Sequence, residues 1–235
     1  MTTVGSGVRE AVRTVDLDEV SVRELNRGLH KDTGGGRVRV LHPGGRHSIA
    51  AGLDARYELE IDGHVGYYCA GMNQQASVRI RGNAGVGVAE NMMSGLVEVD
   101  GSASQSAAAS AHGGLLKIGG DASARCGISL KGAEIVVAGS VGHLSAFMAQ
   151  RGCLVVCGDA GEALGDSIYE ARIYVRGTVA GLGADCVEKS LEDEHVRQLS
   201  ELLERAEIDA DPTEFRRYGS ARRLYNFQID NAGAY

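Results

Sequence analysis

Apolar and polar positions alternate along most of this chain in short runs, and the runs recur at a fixed interval. Glycines Gly63, Gly82, Gly101, Gly120, Gly139, Gly158 and Gly177 are spaced 19 residues apart, and one further step back lands on Gly44. Four residues before these glycines the side chain is aliphatic in all eight cases, from Val40 and Leu59 to Leu154 and Ile173. Two before them stand Ile61, Ile80, Val99, Ile118, Val137, Val156 and Val175, with His42 as the exception. A period of two ending at a glycine predicts a strand and a turn, repeated eight times.

Two residues after the glycine come Val65, Ala84, Ala103, Ala122, Val141, Ala160 and Val179. Seven after it come Ala70, Ala89, Ala108, Gly127, Ala146, Gly165 and Ala184. The first column predicts a second short extended piece, and the second a sharp corner without room for bulk. A unit of this size cannot bury its own apolar face, so it must stack on its neighbours. Between the inward positions the charges alternate from coil to coil: Glu60, Arg79, Glu98, Lys117, and Asp62, Arg81, Asp100. Stacked coils bring such residues within about 4.8 Å of one another, which suits opposite charges. The pattern predicts an all-β chain, a single-stranded right-handed parallel β-helix of about eight coils over residues 38–188.

Residues 1–37 read as a lead-in and cap, with a short helix that Asp18 or Ser21 caps, Val22, Leu25 and Leu29 on one side, and Gly34–Gly36 as its end. Residues 189–235 read as a C-terminal helix and tail. Ser190 with Asp193 resembles a capping box, and Leu191, Val196, Leu199, Leu202 and Leu203 form an apolar stripe to about Ala206. The tail from Phe215 to Tyr225 interleaves Arg216, Arg217, Arg222 and Arg223 with aromatic residues, and on an acidic chain it is expected to dock on an acidic patch or a partner subunit. The outward ladder turns apolar in later coils at Val136, Ala138, Val155 and Cys157, so something covers it: this chain's own tail or a second protein.

Composition narrows the function classes. The 34 glycines accompany only 2 prolines, which excludes collagen-like and Pro-rich chains. A net charge of −7 gives no footprint for unspecific nucleic-acid binding. No membrane span and no leader pattern is seen, so the chain reads as cytoplasmic. Five cysteines without a C-x-x-C pair read as reduced thiols; Cys69 and Cys126 share a column but lie roughly 14 Å apart across three coils, beyond disulfide reach. His64, His112 and His143 fall in different columns and assemble no metal site, and no dinucleotide motif is present. No base, nucleophile and orienting group come together, so no catalytic, cofactor-binding or metal-binding residue is assigned. Loop segments at equivalent places in their coils hold Met72, Asn73, Gln74, Met92, Met93 and Met148. Met and amide side chains make adaptable contact surfaces, so these residues are candidates for a partner interface, with core filling as the alternative.

Gly158-x-x-Gly161-x-x-x-Gly165 resembles the Gly-x-x-Gly-x-x-x-Gly motif of the domain that ends the large subunit of glutamate synthases and recurs in a subunit of formylmethanofuran dehydrogenase. Gly82, Gly85 and Ala89, and Gly139, Gly142 and Ala146, follow it with alanine last, whereas Gly101 and Gly120 have serine in second place. The lead-in Val22–Asn26, the stretch Gly66–Gln75 and the basic-aromatic tail are similar to the stand-alone form of this domain, the middle subunit of N-methylglutamate synthases. The resemblance implies a non-catalytic scaffold in a hetero-oligomer, with one partner similar to a class II glutamine amidotransferase and another to the flavin-binding synthase domain. FMN, and an iron–sulfur cluster where one is used, would belong to that partner. The implied reaction is methylamine with glutamate, giving N-methylglutamate and ammonia. A formylmethanofuran-linked complex is the alternative; a polysaccharide lyase would need an unpaired charged face and a secretion signal, and neither is seen.

Overall fold

The computed structural model describes residues 12–223. Its strands are β1 (Arg13–Asp16), β2 (Gly36–Leu41), β3 (Tyr57–Ile61), β4 (Ser77–Ile80), β5 (Leu96–Val99), β6 (Leu115–Ile118), β7 (Lys131–Val137), β8 (Arg151–Val156), β9 (Arg172–Val175), β10 (Cys186–Lys189) and β11 (Arg216–Ser220), with helices α1 (Val22–Lys31) and α2 (Asp193–Arg205). One sheet runs β1 to β9 in chain order and closes as β9-β11-β10. From β1 to β9 every neighbouring pair is parallel. This is a parallel β-solenoid in which about seven turns separate β2 from β9.

The inward columns hold the core: Val78, Ile80, Val97, Leu116, Ile118, Ile135, Val137, Val156, Ile173 and Val175 are all fully buried. A second wall forms where Val65, Ala84, Ala103, Ala122, Val141, Ala160 and Val179 bridge from coil to coil. The small column seven after each glycine is the corner. Ala70, Ala89, Ala108, Gly127, Ala146 and Gly165 sit there with left-handed backbone, and the residues two before and two after them do so as well.

Most of the 19-spaced glycines do not adopt a left-handed backbone; they are small because the coils approach closely. A Cβ on Gly158 would lie 2.5 Å from Ser140 Oγ and 2.7 Å from the carbonyl carbon of Gly139. The register corrects one expectation. Val38 pairs with Leu59 and Val40 with Ile61, a step of 21, whereas Leu59 pairs with Val78 and the inward columns step by 19 from there on, the one shift being at Lys131, which pairs with Arg151 before β7 and β8 fall into register. Carried on, this register sets His42 opposite Gly63, so Gly44 is not the first member of the glycine column. Because a slip of two keeps the same face of a strand inward, Val40 still matched an aliphatic column. His42 is therefore no exception to the inward column, which Val40 fills; it takes the glycine's place with φ 52°.

Ser21 caps α1 by accepting from the Glu24 backbone N–H, while Glu24 reaches back to the Ser21 N–H at 2.9 Å. The expected cap of α2 moves by two residues: Glu192 is the N-cap, and the Ser190 hydroxyl donates to its carboxylate at 2.6 Å. The tail contains a strand that periodicity did not reveal. β11 runs antiparallel between β9 and β10, with Arg217 opposite Tyr174 on one side and Lys189 on the other. Leu224 and Tyr225 lie outside the described residues.

Candidate functional site

Three left-handed residues per coil turn the chain so sharply that the first and third of them, or a residue beside them, stand outward along one ridge while the residue between the first two is buried, as at Cys69 and Val88. The ridge is where most of the large exposed apolar residues stand: Tyr67, Tyr68, Met72 and Met93, each about half exposed, with Met148 further along. His47 stacks on Tyr67 with ring centroids 4.5 Å apart, and Tyr67 meets Tyr68 edge-on at 6.3 Å. Of the loop residues expected to face a partner, Met72, Gln74, Met93 and Met148 point to solvent. Asn73 and Met92 do not: both are fully buried. The Asn73 amide donates to the carbonyls of Ala76 at 2.8 Å and Ser94 at 3.1 Å, tying two successive coils. Met92 fills the core.

The outer face of the sheet is divided. Over β6–β9 the apolar side chains Leu115, Val136, Cys153, Val155, Cys157 and Tyr174 are buried beneath Leu199, Leu202, Leu203 and Ala206 of the C-terminal helix segment and Phe215. Val136, Val155 and Cys157, offered by the sequence as a partner interface, are thus covered by the chain itself; Ala138, beside them, is part-buried. Polar contacts fix the lid: Arg205 Nη1 lies 2.6 Å from Glu134 Oε2, Lys117 Nζ 3.0 Å from Glu207 Oε2, and the Tyr174 hydroxyl donates to Gln198 at 3.0 Å. Over β2–β5 the face is open, forming a shallow cleft of about 620 Å³ walled by Arg37, Arg39, Glu58, Glu60, Arg79 and Glu98. Its charges neutralise one another from strand to strand, directly opposite for Arg37 with Glu58 at 2.7 Å and Lys117 with Glu98 at 3.5 Å, and diagonally for Arg81 with Glu60 at 2.7 Å and Arg79 with Asp100 at 3.1 Å.

The side chains of Arg216, Arg217 and Arg222 bond to this chain's own end, whereas Arg223 does so through its backbone and its side chain is exposed. Arg216 donates to the Gly177 carbonyl at 2.6 Å and Arg217 to that of Ser190 at 2.8 Å. Arg222 pairs with Glu170 at 3.1 Å, and the Arg223 N–H donates to Asp185 at 2.9 Å.

Nothing among the described residues assembles as a nucleophile and its base. All five thiols are buried and unpaired. Burial pushes those of Cys69, Cys126, Cys153 and Cys186 up to about 12 and raises Cys157 as well, which removes the thiolate that reactivity needs. Asp16, Asp18 and His42 do gather at the solenoid's first corner. They are committed to ion pairs, His42 Nδ1 to Asp16 at 2.8 Å and Arg46 to Asp18 at 3.0 Å.

One structural column was missed although the sequence displays it. The residue after each column glycine accepts a hydrogen bond from its counterpart's backbone N–H in the next coil. His64 Nδ1 accepts from Asn83 at 2.9 Å, Asn83 from Ser102 at 2.9 Å, Ser102 from Asp121 at 3.1 Å, Asp121 from Ser140 at 2.8 Å, Ser140 from Asp159 at 3.0 Å, and Asp159 from Thr178 at 2.7 Å. Every member carries an acceptor, and that was the signal. His64 is therefore a structural link. No helix among the described residues is long and apolar enough to cross a membrane.

Compared with known proteins, the chain matches no family model. It is 56% identical over 225 residues to Protein GlxC of Rhizobium meliloti (strain 1021), an alignment that spans 94% of this chain and 99% of that relative.

Proposed function

Since the chain belongs to the family of Protein GlxC, we propose that it is a non-catalytic scaffold subunit of a glutamate synthase-like complex. The observation that carries this reading is the physical use made of Gly158-x-x-Gly161-x-x-x-Gly165, the motif of the glutamate synthase domain. Gly158 and Gly161 stand where a Cβ would strike the preceding coil within about 2.8 Å, and Gly165 turns the corner at φ +65°. The motif builds a solenoid and leaves no group free for chemistry, which suits a spacer. The open ridge of Tyr67, Tyr68, Met72, Met93 and Met148 supplies contact area for other subunits.

The reaction we assign to the complex is the exchange of methylamine with glutamate, giving N-methylglutamate and ammonia. One partner is amidotransferase-like. A second binds FMN and does the redox work, and the solenoid holds the two around the route of the ammonia or amine. The chain acts in the cytoplasm as one component of a hetero-oligomer and carries no cofactor of its own. The test is to purify the tagged chain from its native host at low salt, identify what elutes with it by mass spectrometry, scan for flavin absorbance, and assay methylamine-dependent N-methylglutamate formation. Co-elution of an amidotransferase-like protein and a yellow subunit, with that activity, supports the reading. A colourless chain eluting alone overturns it.

A further inference from the structure

The exposed side of α1 departs from the rest of this acidic molecule. Arg23, Arg27 and Lys31 follow one another at every fourth position and are exposed, so they form a single stripe along the helix. The groove beside it, about 570 Å³, is bounded by Arg23, Asn26, Arg27, His30, Lys31 and Ser48, with Val22 at its end. No carboxylate lines it, in a chain of net charge −7. Glu24, the carboxylate within the helix, is turned away into the cap, accepting from the Ser21 hydroxyl at 2.7 Å. Among the described residues no carboxylate lies within 4.0 Å of Arg23, Arg27 or Lys31, although Arg27 is near enough to help lower the Glu24 carboxyl.

The helix gains little from this pattern. Like charges four apart repel, and a cation in the first turn, where Arg23 sits, opposes the helix dipole. Only Lys31 and His30, in the last turn, complement it. A stripe that brings the helix so little and makes no direct ion pair among the described residues is suited to an external anion.

The groove also runs into the apolar ridge. Asn26 bridges the two by donating to the Ser48 carbonyl at 2.8 Å and accepting from the Ala50 N–H at 3.0 Å. Ser48 in turn donates its N–H to the Tyr67 carbonyl at 2.7 Å. Cations on one side and Tyr67, Tyr68 and Met72 on the other form one two-part surface. We propose that this surface docks an acidic segment of a partner protein whose carboxylates meet Arg23, Arg27 and Lys31 while its apolar side chains rest on the tyrosines and Met72. Charge complementarity selects an anionic partner, and the half-exposed Tyr and Met anchors select a protein with apolar side chains. A nucleic acid is disfavoured, because the acidic remainder of the chain repels an extended polyanion.

The surface stands apart from the choice of reaction, since a colourless complex would leave it intact. The test uses the full tagged chain with the proteins that co-purify from its native host, joined by a carbodiimide that links carboxylates directly to amines. Lys31 is expected to be joined to an Asp or Glu of a second protein in a stretch that also carries apolar residues. Recovery of that protein should fall at least tenfold in the triple variant R23E/R27E/K31E, and comparably when salt is raised from 50 to 500 mM. Tyr67→Ser with Tyr68→Ser should weaken recovery while leaving its salt dependence. A circular dichroism melt checks that each variant folds. The proposal is overturned if Lys31 links only to carboxylates of this chain or of a second copy, if recovery is unchanged by the charge reversal, or if the bound material is released by nuclease.

Discussion

The two halves of the outer sheet face are built on the same backbone and solve opposite problems. Over β3–β5 the outward rows carry Glu60, Arg79 and Glu98, whose charges pair with neighbouring strands and leave the face in water. Over β7–β9 the same rows carry Val136, Val155 and Tyr174, and α2 with Phe215 covers them. Exposed ion pairs are worth little, about 0–1 kcal/mol each, whereas a fully buried Leu or Val is worth about 1.5–3 kcal/mol. The covered half is thus the more strongly held, and the open half trades stability for a face that remains solvated. Lys117 marks the border by pairing with Glu98 on the open side and with Glu207 on the lid.

The comparison rests first on a shared core, and breaking that core should abolish both halves. Ile118→Asp puts an unpaired charge at a fully buried position, at a cost of several kcal/mol. The expected result is loss of cooperative unfolding in a thermal melt, and a folded, soluble variant would contradict the inward column. A cut in the lid should discriminate between the halves. Leu203→Ala removes a buried side chain from the inner face of α2 and should cost about 2–5 kcal/mol. Hydrogen exchange should rise over β7–β9 and α2 while β3–β5 stay protected; equal protection in both would mean that the lid does not stabilise the face it covers.

How much of this was legible follows from which interactions are periodic. The inward columns, the small corner residues and the alternating charges repeat every coil, so Ile80, Ala89 and Arg79 declared themselves. What failed was aperiodic. The first coil carries two extra residues. Ser48, Ala50 and Gly52 take the left-handed places of Tyr68, Ala70 and Met72 twenty residues later, so one extra residue precedes that corner and one follows it. The period of 19 therefore reached Gly44 by coincidence, helped by the twofold symmetry of a strand. Likewise β11 enters the sheet antiparallel from a segment whose Arg-rich, aromatic composition reads as a docking tail. Its partner turned out to be the chain's own last coil, a long-range pairing that no local pattern encodes.

Substitution can sharpen that register. Gly158→Ala drives a Cβ against Ser140 Oγ and the Gly139 backbone and should cost about 1–3 kcal/mol, as overpacking does. At Gly44 the added Cβ would meet chiefly the side-chain end of Arg46, at 2.9 Å, rather than backbone, though at φ +53°. The expected cost is the left-handed penalty alone, about 1–2 kcal/mol. Urea melts of the two variants rank them, and an equal or larger loss at Gly44 would restore it to the column.

The smallest expected effect lies on the open half. Arg81→Ala removes the guanidinium 2.7 Å from Glu60, with both groups substantially exposed, so stability at neutral pH should fall by no more than about 1 kcal/mol. The informative variable is pH. The hydrogen bond from Arg81 holds the Glu60 carboxyl below its ordinary range, so the pair stabilises the fold above the unfolded carboxylate pKa of about 4.3. That contribution is lost as pH falls through the lower folded value. The wild type and Arg81→Ala should therefore differ at pH 7 and converge near pH 3 in parallel melts. A difference that persists in acid would mean that Arg81 acts by packing its stem on the strand below, and that the open face is held by more than charge.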